Sequence, residues 1–414
     1  MKILFLDAYY DPEIIAYTHL EKDLIEGLLA AGHSIDIICP LPTRGIDEAI
    51  REEYKGRKEE LQYGGKVRVT RFWAPKEDKN PILRAFRYFW CNFRTYKIAK
   101  ERKDTDIVFS NSTPPTQGAI AAIIAKALSK KRGKRVPFIY NLQDIFPDSL
   151  VNTGLTSYNS LLWKIGRKIE NFIYRNADKI IVISESFKRN LLNKLVPEEK
   201  IKIIPNWIDT DTVQPVPRTS NELITEFNLN ADDFQVVYAG NFGAAQGADI
   251  VLESANLLAD YNDIKFVIFG AGAYFEDACK KAKAMDNVFI HELMPQNRVS
   301  EVYSLGNVAL ITCKLNTSNA GMPSKTWSIM ACNVPIIASF DTDSDLARIL
   351  EQTDAGVCLE PENAECLSKA ILKQYLNKDT VKCNSREYVV NNVSKKHCVS
   401  MFVDQFLKTS KVSR

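Results

Sequence analysis

Histidine is scarce in this chain: there are four in 414 residues, at 19, 33, 291 and 397. No two have ligand spacing, which argues against a zinc enzyme. The nine cysteines form an odd set with no Cys-x-x-Cys pair. That excludes a disulfide framework and reads as small reduced core residues of a cytosolic chain. No run reaches the roughly 20 apolar residues needed to span a bilayer. The opening KILFLDAYY lacks the basic region, apolar run and cleavage site of a signal peptide. An excess of one charge is also missing: 54 Lys and Arg against 51 Asp and Glu leave +3, which argues against a general nucleic-acid binder. No Walker A sequence ending in GKS or GKT occurs, and the turn from Gly270 lacks the third glycine of a dinucleotide fingerprint.

What is present is apolar content, 45%, ample for buried cores in two or three domains. KILFLDAY begins a series in which short β runs alternate with helical patterns. In the first helix Leu20, Leu24, Leu28 and Leu29 fall at helical spacing ahead of the stop signal Gly32. SIDIICP, VRVTRFW, DIVFSNS, PFIYNLQD and DKIIVIS continue the series. The segment from Ile201 to Asn221, IKIIPNWIDTDTVQPVPRTSN, reads as a linker. QVVYAGNFGAAQG, KFVIFGAGAY, NVFIHEL, NVALITC, VPIIAS and AGVCLE repeat the rhythm after it. Apolar strands separated by helices imply parallel sheets covered on both faces, with ligands bound where loops leave the strands' carboxyl ends. The expected fold is α/β: two doubly wound Rossmann-like domains facing across a cleft, 1–208 and 209–395.

Three segments of the second half suit an anion. Asn319 to Ser339 places a small-residue turn, a short helix and a buried strand in succession. There Gly321 permits close backbone approach, Pro323 suits the first helical position, and the amides of Ser324, Lys325 and Thr326 are expected to point outward beside the Lys325 charge. Gly240-Asn241-Phe242-Gly243-Ala244-Ala245-Gln246-Gly247 follows one strand and opens a helix, so its amides could meet a diphosphate. Gly270-Ala271-Gly272 follows the next strand. Each alone also reads as an ordinary tight turn or helix start.

Over nearly its whole length the chain resembles glycosyltransferase family 4, retaining nucleotide-sugar transferases of the GT-B fold. The matching landmarks, in that family's order, are DAYYDPE, AAGHSIDIICP, NLQDIFPDS, ADKIIVISES, KIIPNWIDTDT, YAGNFGAAQG, FGAGAYFED and MPSKTWSIMACNVPIIAS. The resemblance is greatest to the branch that builds bacterial capsule, exopolysaccharide and O-antigen units. It implies transfer of a sugar from a nucleotide diphosphate, most often UDP, to a lipid-linked or saccharide hydroxyl with the anomeric configuration kept. It also implies a last helix, 396–414, that crosses back to the first domain. The donor set it implies is Gly240, Asn241, Gly243, Gln246, Gly247, Gly270, Gly272, Gly321, Met322, Pro323, Ser324, Lys325, Thr326 and Ser328. Departures are visible: the family's paired glutamates fall on Ala320 and Ser328, its Arg and Lys on Asn241 and Gln246, its histidine on Gln143, and its glycine pair on Ile14 to Ala16. Lys325 then becomes the main cation for the leaving diphosphate. On the acceptor side, Asp11, Pro12 and Glu13 follow the first strand, and Gln143, Asp144 and Asp148 follow NL. Glu13 or Asp144 could accept a hydrogen bond from the attacking hydroxyl, and either could equally be a helix cap. The catalytic set is thus Lys325, Gln143, Asp144 and Glu13.

Three Asp-Thr-Asp runs, at Asp104, Asp209 and Asp341, mimic the metal-binding signature of a different transferase fold. Each falls at an element edge where Asp and Thr cap or turn, so the reaction is expected to need no metal and no cofactor beyond the nucleotide-sugar co-substrate. Two segments, Pro81 to Lys103 and Leu161 to Arg175, interleave aromatic and basic residues. In the first, Leu83, Phe86, Trp90 and Phe93 form a stripe ringed by Arg87, Arg94, Lys97 and Lys100. Such helices suit an anionic membrane surface, or pack their stripe on a sheet with the bases solvated. The expected location is cytoplasmic, with peripheral attachment to the inner face of the cell membrane. Two other readings stand beside the enzyme: a non-catalytic nucleotide-sugar-binding protein, and a sugar-nucleotide epimerase of similar architecture.

Overall fold

A computed structural model gives the structure of the chain and describes residues 1–13, 17–76, 80–152, 155–315, 322–380 and 383–411. The chain divides into two compact units, Met1–Pro205 with Cys398–Arg414, and Asn206–His397. The first division falls three residues before the position drawn from the sequence, and local bonding shows why. Trp207 is buried, the Ile208 amide donates to Val393 at 3.1 Å, and Lys395 donates back to Ile208 at 2.9 Å, which ties residues 206–208 to the second unit.

The first unit is built on β1 (Lys2–Leu6), β2 (Ser34–Pro40), β3 (Glu59–Gln62), β4 (Val67–Phe72), β5 (Ile107–Asn111), β6 (Phe138–Leu142), β7 (Lys179–Val182) and β8 (Ile201–Ile203). They form one sheet in the order β3-β4-β2-β1-β5-β6-β7-β8, parallel except for the edge strand β3. Strand β8 falls inside the segment read as a linker; its Ile201–Lys202–Ile203 pairs with β7. The helices are α1 (Thr18–Ala30), α2 (Glu48–Tyr54), α3 (Pro81–Ala99), α4 (Gln117–Arg132), α5 (Asp148–Asn152), α6 (Leu161–Asn176) and α7 (Glu185–Asn193).

Alternation along β1 assigns the two faces. Leu4 and Leu6 join a core with Cys91 and Ala99 of α3, Ala121 and Leu128 of α4, Ile173 of α6 and Leu191 of α7. Phe5 turns the other way and meets Phe109, ring centroids 4.6 Å apart. Both rings are covered by Phe406, at 6.4 and 5.4 Å, on the last helix. A glycine inside α1 costs about 1 kcal/mol relative to alanine. Gly27 is there because a Cβ would lie 2.1 Å from Val399 Cγ1 of that last helix.

The second unit holds α8 (Glu222–Glu226), β9 (Phe234–Asn241), α9 (Asp249–Leu257), β10 (Ile264–Ala271), α10 (Phe275–Ala282), β11 (Val288–Glu292), α11 (Val299–Ser304), β12 (Val308–Thr312), α12 (Lys325–Ala331), β13 (Ile336–Ser339), α13 (Asp345–Thr353), β14 (Gly356–Leu359), α14 (Ala364–Leu376), α15 (Ser385–Asn392) and the start of α16 (Lys395–Lys411). Its sheet runs β11-β10-β9-β12-β13-β14, all parallel. The order steps outward in both directions from the pair β9 and β12, so their carboxyl ends flank a switch point of the sheet, where a crevice is expected.

Helix α3 is inverted relative to an ordinary surface helix. Its buried positions are Arg87, Cys91, Thr95 and Ala99, spaced four apart, whereas Ile82, Leu83, Phe86, Phe89 and Phe93 are exposed. Of the stripe, Leu83, Phe86 and Phe93 therefore face away from the sheet, while Trp90 is half-buried against the core. Arg87, expected among the solvated bases, is 2% exposed and holds Pro75 O and the Thr43 hydroxyl.

Candidate functional site

The carboxyl ends of β9, β10 and β12 open onto a cavity of about 680 Å³ within the second unit. Its lining combines polar groups, Gly240, Asn241, Gln246, Ser324 and Lys325, with an apolar set, Phe269, Leu293, Met294, Pro295 and Val299. No Asp, Glu or Arg is among the described residues that line it. Volume and lining are those of a pocket for one small organic ligand with an anionic end.

The two glycine turns are braced against each other. The Phe242 amide donates to Ala271 at 2.6 Å and the Tyr274 amide to Phe242 at 3.0 Å. The far side of the first turn is pinned to the end of β12, where the Thr312 hydroxyl donates to Gln246 O at 2.8 Å and the Lys314 amide to Ala245 O at 3.0 Å. At two glycines a positive φ and a crowded neighbour together oppose a side chain. A Cβ on Gly240 would sit 2.4 Å from Lys325 Nζ, and one on Gly272, at φ +117, would sit 2.0 Å from Asn241 Oδ1. Asn241 in turn donates to Gln246 Oε1 at 3.4 Å.

Lys325 Nζ stands over the Tyr238 ring, 4.6 Å from its centroid, an arrangement that favours the ammonium electrostatically. Burial outweighs this and lowers its pKa from the ordinary 10.5 to about 8, with the neighbouring Cys313 opposing. The residue as a whole is half-buried; the desolvated part is its amino group. The helix that carries it is shorter than the sequence implies. It begins at Lys325, so Pro323 lies ahead of it, and the Thr326 amide, expected to point outward, donates to Pro323 O at 3.0 Å. The Thr326 amide is therefore not among the free donors of this corner, and its full positive charge is the Lys325 ammonium.

Of the residues read as donor-binding, Gly240, Asn241, Gln246, Met322, Pro323, Ser324 and Lys325 line the cavity. Gly243, Gly247, Gly270 and Gly272 shape the turns behind it, while Thr326 and Ser328 are buried in α12. Gly321, Ala320 and the stretch Ile14 to Ala16 lie outside the described residues. Sequence reasoning passed over the apolar wall. Its signal was position: Leu293, Met294 and Pro295 leave the carboxyl end of β11.

In the first unit the acceptor-side residues stand at the ends of β1 and β6. Glu13 is 1% exposed, and its carboxylate accepts from the amides of Thr43 at 2.7 Å, Arg44 at 2.8 Å and Tyr10 at 3.4 Å. Burial raises its pKa against these bonds. It clamps the loop after β1 to the loop after β2, the structural role that the sequence left open beside a chemical one. Gln143 donates to Asn141 Oδ1 at 3.3 Å, and Asn141 to Asn111 Oδ1 at 2.8 Å. Asn111 donates in turn to both Asp7 and Glu21, each at 3.3 Å. Asp7 and Glu21 are buried together, and burial raises both carboxyls. Asp144 is exposed as a residue, but its carboxyl bonds Ser149 and the Ile145 amide, and burial of that head raises it modestly. The Asp-Thr-Asp carboxylates serve structure: Asp104 pairs with Lys2, Asp106 with Arg132, and Asp209 accepts from the Asp211 and Thr212 amides.

Two parallel-sheet α/β domains with this topology are the fold of the GT-B glycosyltransferases. Sucrose-phosphate synthase from Thermosynechococcus elongatus superposes with a TM-score of 0.74 at 16% identity, covering 100% of both chains. Anabaena HepE in complex with UDP superposes at 0.70 and 15% identity, covering 99% of this chain and 100% of that one. In sequence, the putative colanic acid biosynthesis glycosyl transferase WcaI of Escherichia coli (strain K12) is 24% identical over 417 residues, 98% of this chain and 99% of that protein. Residues 22–212 match the family model Glycosyltransferase Family 4, and residues 220–396 match Glycosyl transferases group 1. The chain belongs to glycosyltransferase family 4.

Proposed function

We propose that this glycosyltransferase moves a sugar from a nucleotide diphosphate, UDP in the first instance, to a lipid-linked or saccharide acceptor in bacterial surface polysaccharide synthesis. The observation that carries the reading is the mixed lining of the cavity in the second unit. Its apolar side chains suit a base, and Lys325 sets one ammonium beside two cross-braced turns. As the sugar–phosphate bond breaks, negative charge grows on the β-phosphate. Lys325 and the turn amides would stabilise that charge without reorganising, because they are already held in place. Retention of configuration is what the family resemblance implies. No side chain needs a metal for this assistance, so the reaction is proposed to be metal-independent. The UDP in the HepE complex and the colanic acid wording of the WcaI name support donor and pathway class respectively.

Gln143 and Asp144, at the end of β6, are the proposed contacts to the sugar and acceptor. The acceptor is proposed to lie at a membrane. Ile82 is 78% exposed, Phe89 71% and Leu161 77%, and α4 joins α3 to α6 with Ile123 also exposed. Lys97 and Lys126 stand over the Phe93 and Phe172 rings of this surface. Aromatic rings with flanking bases suit the headgroup layer of an anionic bilayer, here the inner face of the cell membrane. No described helix is long and apolar enough to cross one.

A panel of UDP- and GDP-sugars tested for thermal stabilisation checks the donor. A ligand at 100 times its Kd adds about 2.7 kcal/mol, and the matching sugar should then be transferred to an acceptor with its anomeric configuration kept. Stabilisation by none of the panel would overturn the reading.

A further inference from the structure

A second cavity, about 590 Å³, is lined by α6, the end of α7 and the segment that leads to β8. Four bases line it: Arg167 and Arg175 from α6, Lys194 just past α7, and Lys200 just before β8. The described lining contains no acidic side chain; Asn171 and Asn193 supply amides. This is not the cavity of the second unit, and nothing in the sugar-transfer scheme uses it.

The bases are held in place from behind. Glu170 is 2% exposed and gathers three donors: Arg167, Lys194 Nζ at 2.8 Å and the Tyr174 hydroxyl at 2.6 Å. Lys194 reaches Asp148 as well, at 2.7 Å. Lys200 Nζ donates to Tyr174 O at 3.3 Å and Arg175 O at 3.1 Å, offsetting the negative end of the α6 dipole. Glu198, on the rim, is already paired with Lys188 at 2.7 Å. Four cations against the two carboxylates behind them leave a local excess of two positive charges. Because two of these cations are fixed by a buried carboxylate, an incoming anion need not order them.

The geometry points to this groove as a phosphate-ester site, occupied by the headgroup phosphate of an anionic phospholipid. The lipid source follows from the neighbouring surface of the same helix. Leu161, Leu162, Ile165 and Phe172 form an exposed apolar ridge along α6, and Arg175 of the groove follows Phe172 at i+3, so the two are neighbours on the helix surface. A lipid whose chains lie against that ridge brings its phosphate to Arg175 and Lys200. The inference rests on the membrane attachment proposed above, and the experiment separates the two.

Partitioning of the full chain onto phosphatidylglycerol/phosphatidylcholine vesicles is measured by co-sedimentation for wild type, Arg175→Gln, Lys200→Gln, Phe172→Ser and Lys280→Gln. Lys280 is an exposed base of the second unit and controls for net charge. Each groove substitution should weaken binding about fivefold, the fold-change equivalent of about 1 kcal/mol per base, with Lys280→Gln changing it less than twofold. Arg175→Lys should recover most of the loss. Equal losses for Lys280→Gln and the groove variants would overturn the site in favour of diffuse charge. Loss in Phe172→Ser alone would keep the membrane reading and overturn the groove. Glycerol 3-phosphate is the soluble probe: if it saturates the groove while the groove variants bind vesicles as wild type does, the lipid source is overturned.

Discussion

Lys325 offers the sharpest test, because its amino group is both desolvated and the sole cation lining the cavity of the second unit among the described residues. Lowering its pKa from 10.5 to about 8 corresponds to about 3 kcal/mol against the charged form in the empty site. A diphosphate placed beside it reverses that preference, so binding above pH 7 should draw a proton from solvent. At pH 8 about half the empty sites are neutral and uptake is about half a proton. From pH 7 to pH 9 the Kd of the nucleotide diphosphate should weaken about tenfold, as protonation before binding becomes the limiting cost. Calorimetric titration in buffers of different ionisation enthalpy reads both quantities. Lys325→Ala should bind weakly with a flat pH profile, take up no proton, and lose about 100-fold in kcat, equivalent to about 3 kcal/mol of leaving-group stabilisation. The stability sign is opposite. A base whose folded pKa is depressed destabilises the fold while protonated, and stability is regained as pH rises from about 8 toward 10.5. Lys325→Met should therefore melt above wild type at pH 7, with the gap closing by pH 10. A wild-type Kd that is constant from pH 7 to pH 9, or a folded Lys325→Ala protein within a few-fold of normal kcat, would refute the assignment.

Gly240→Ala places a methyl 2.4 Å from Lys325 Nζ at a backbone φ of +157; it should raise the Kd of the nucleotide diphosphate about tenfold, roughly one charge-assisted hydrogen bond, and also lower Tm through backbone strain. Glu13→Gln turns one of two accepting oxygens into a donor facing backbone amides and should lower stability by about 2 kcal/mol in denaturant titrations; a large loss of kcat at unchanged stability would give Glu13 a chemical role. Asp7 is pushed from 3.8 up to about 7 by burial beside Glu21, so its penalty is absent below pH 4 and grows as pH rises toward 7. Asp7→Asn should therefore gain Tm relative to wild type between pH 5 and pH 8, and a shrinking difference would count against the shared burial of the two carboxyls.

Much of this molecule is legible in its sequence because its strands are continuous apolar runs separated by helices, the signature of a sheet buried on both faces. The glycine turns were readable too, since Gly240 and Gly272 occupy positions where any Cβ collides. What escaped depends on partners distant along the chain. Glu13 resembles a free carboxylate until Thr43 and Arg44 fold over it. Lys325 resembles a solvated helix-start residue until Tyr238 and Gly240 close around its amino group. Helix α3 is the clearest case: a helical wheel identifies its aromatic stripe but not which side the sheet takes, and here the sheet takes the small and polar side, Cys91, Thr95 and Ala99, with Arg87.

The last helix carries a consequence for how the chain is made. Phe5 and Phe109 emerge early, yet the ring that covers them, Phe406, is among the final residues. At about 5–20 residues per second, synthesis of the roughly 200 residues between Pro205 and α16 takes on the order of 10–40 s. During that interval the first unit exists with part of one sheet face, beside α1, uncovered and with Gly27 facing an empty groove. The second unit has no such debt and can complete its sheet first. Nascent chains stalled short of Cys398 should therefore recruit chaperones through the first unit, and a chain ending at Ser394 should aggregate even though every strand of both sheets is present.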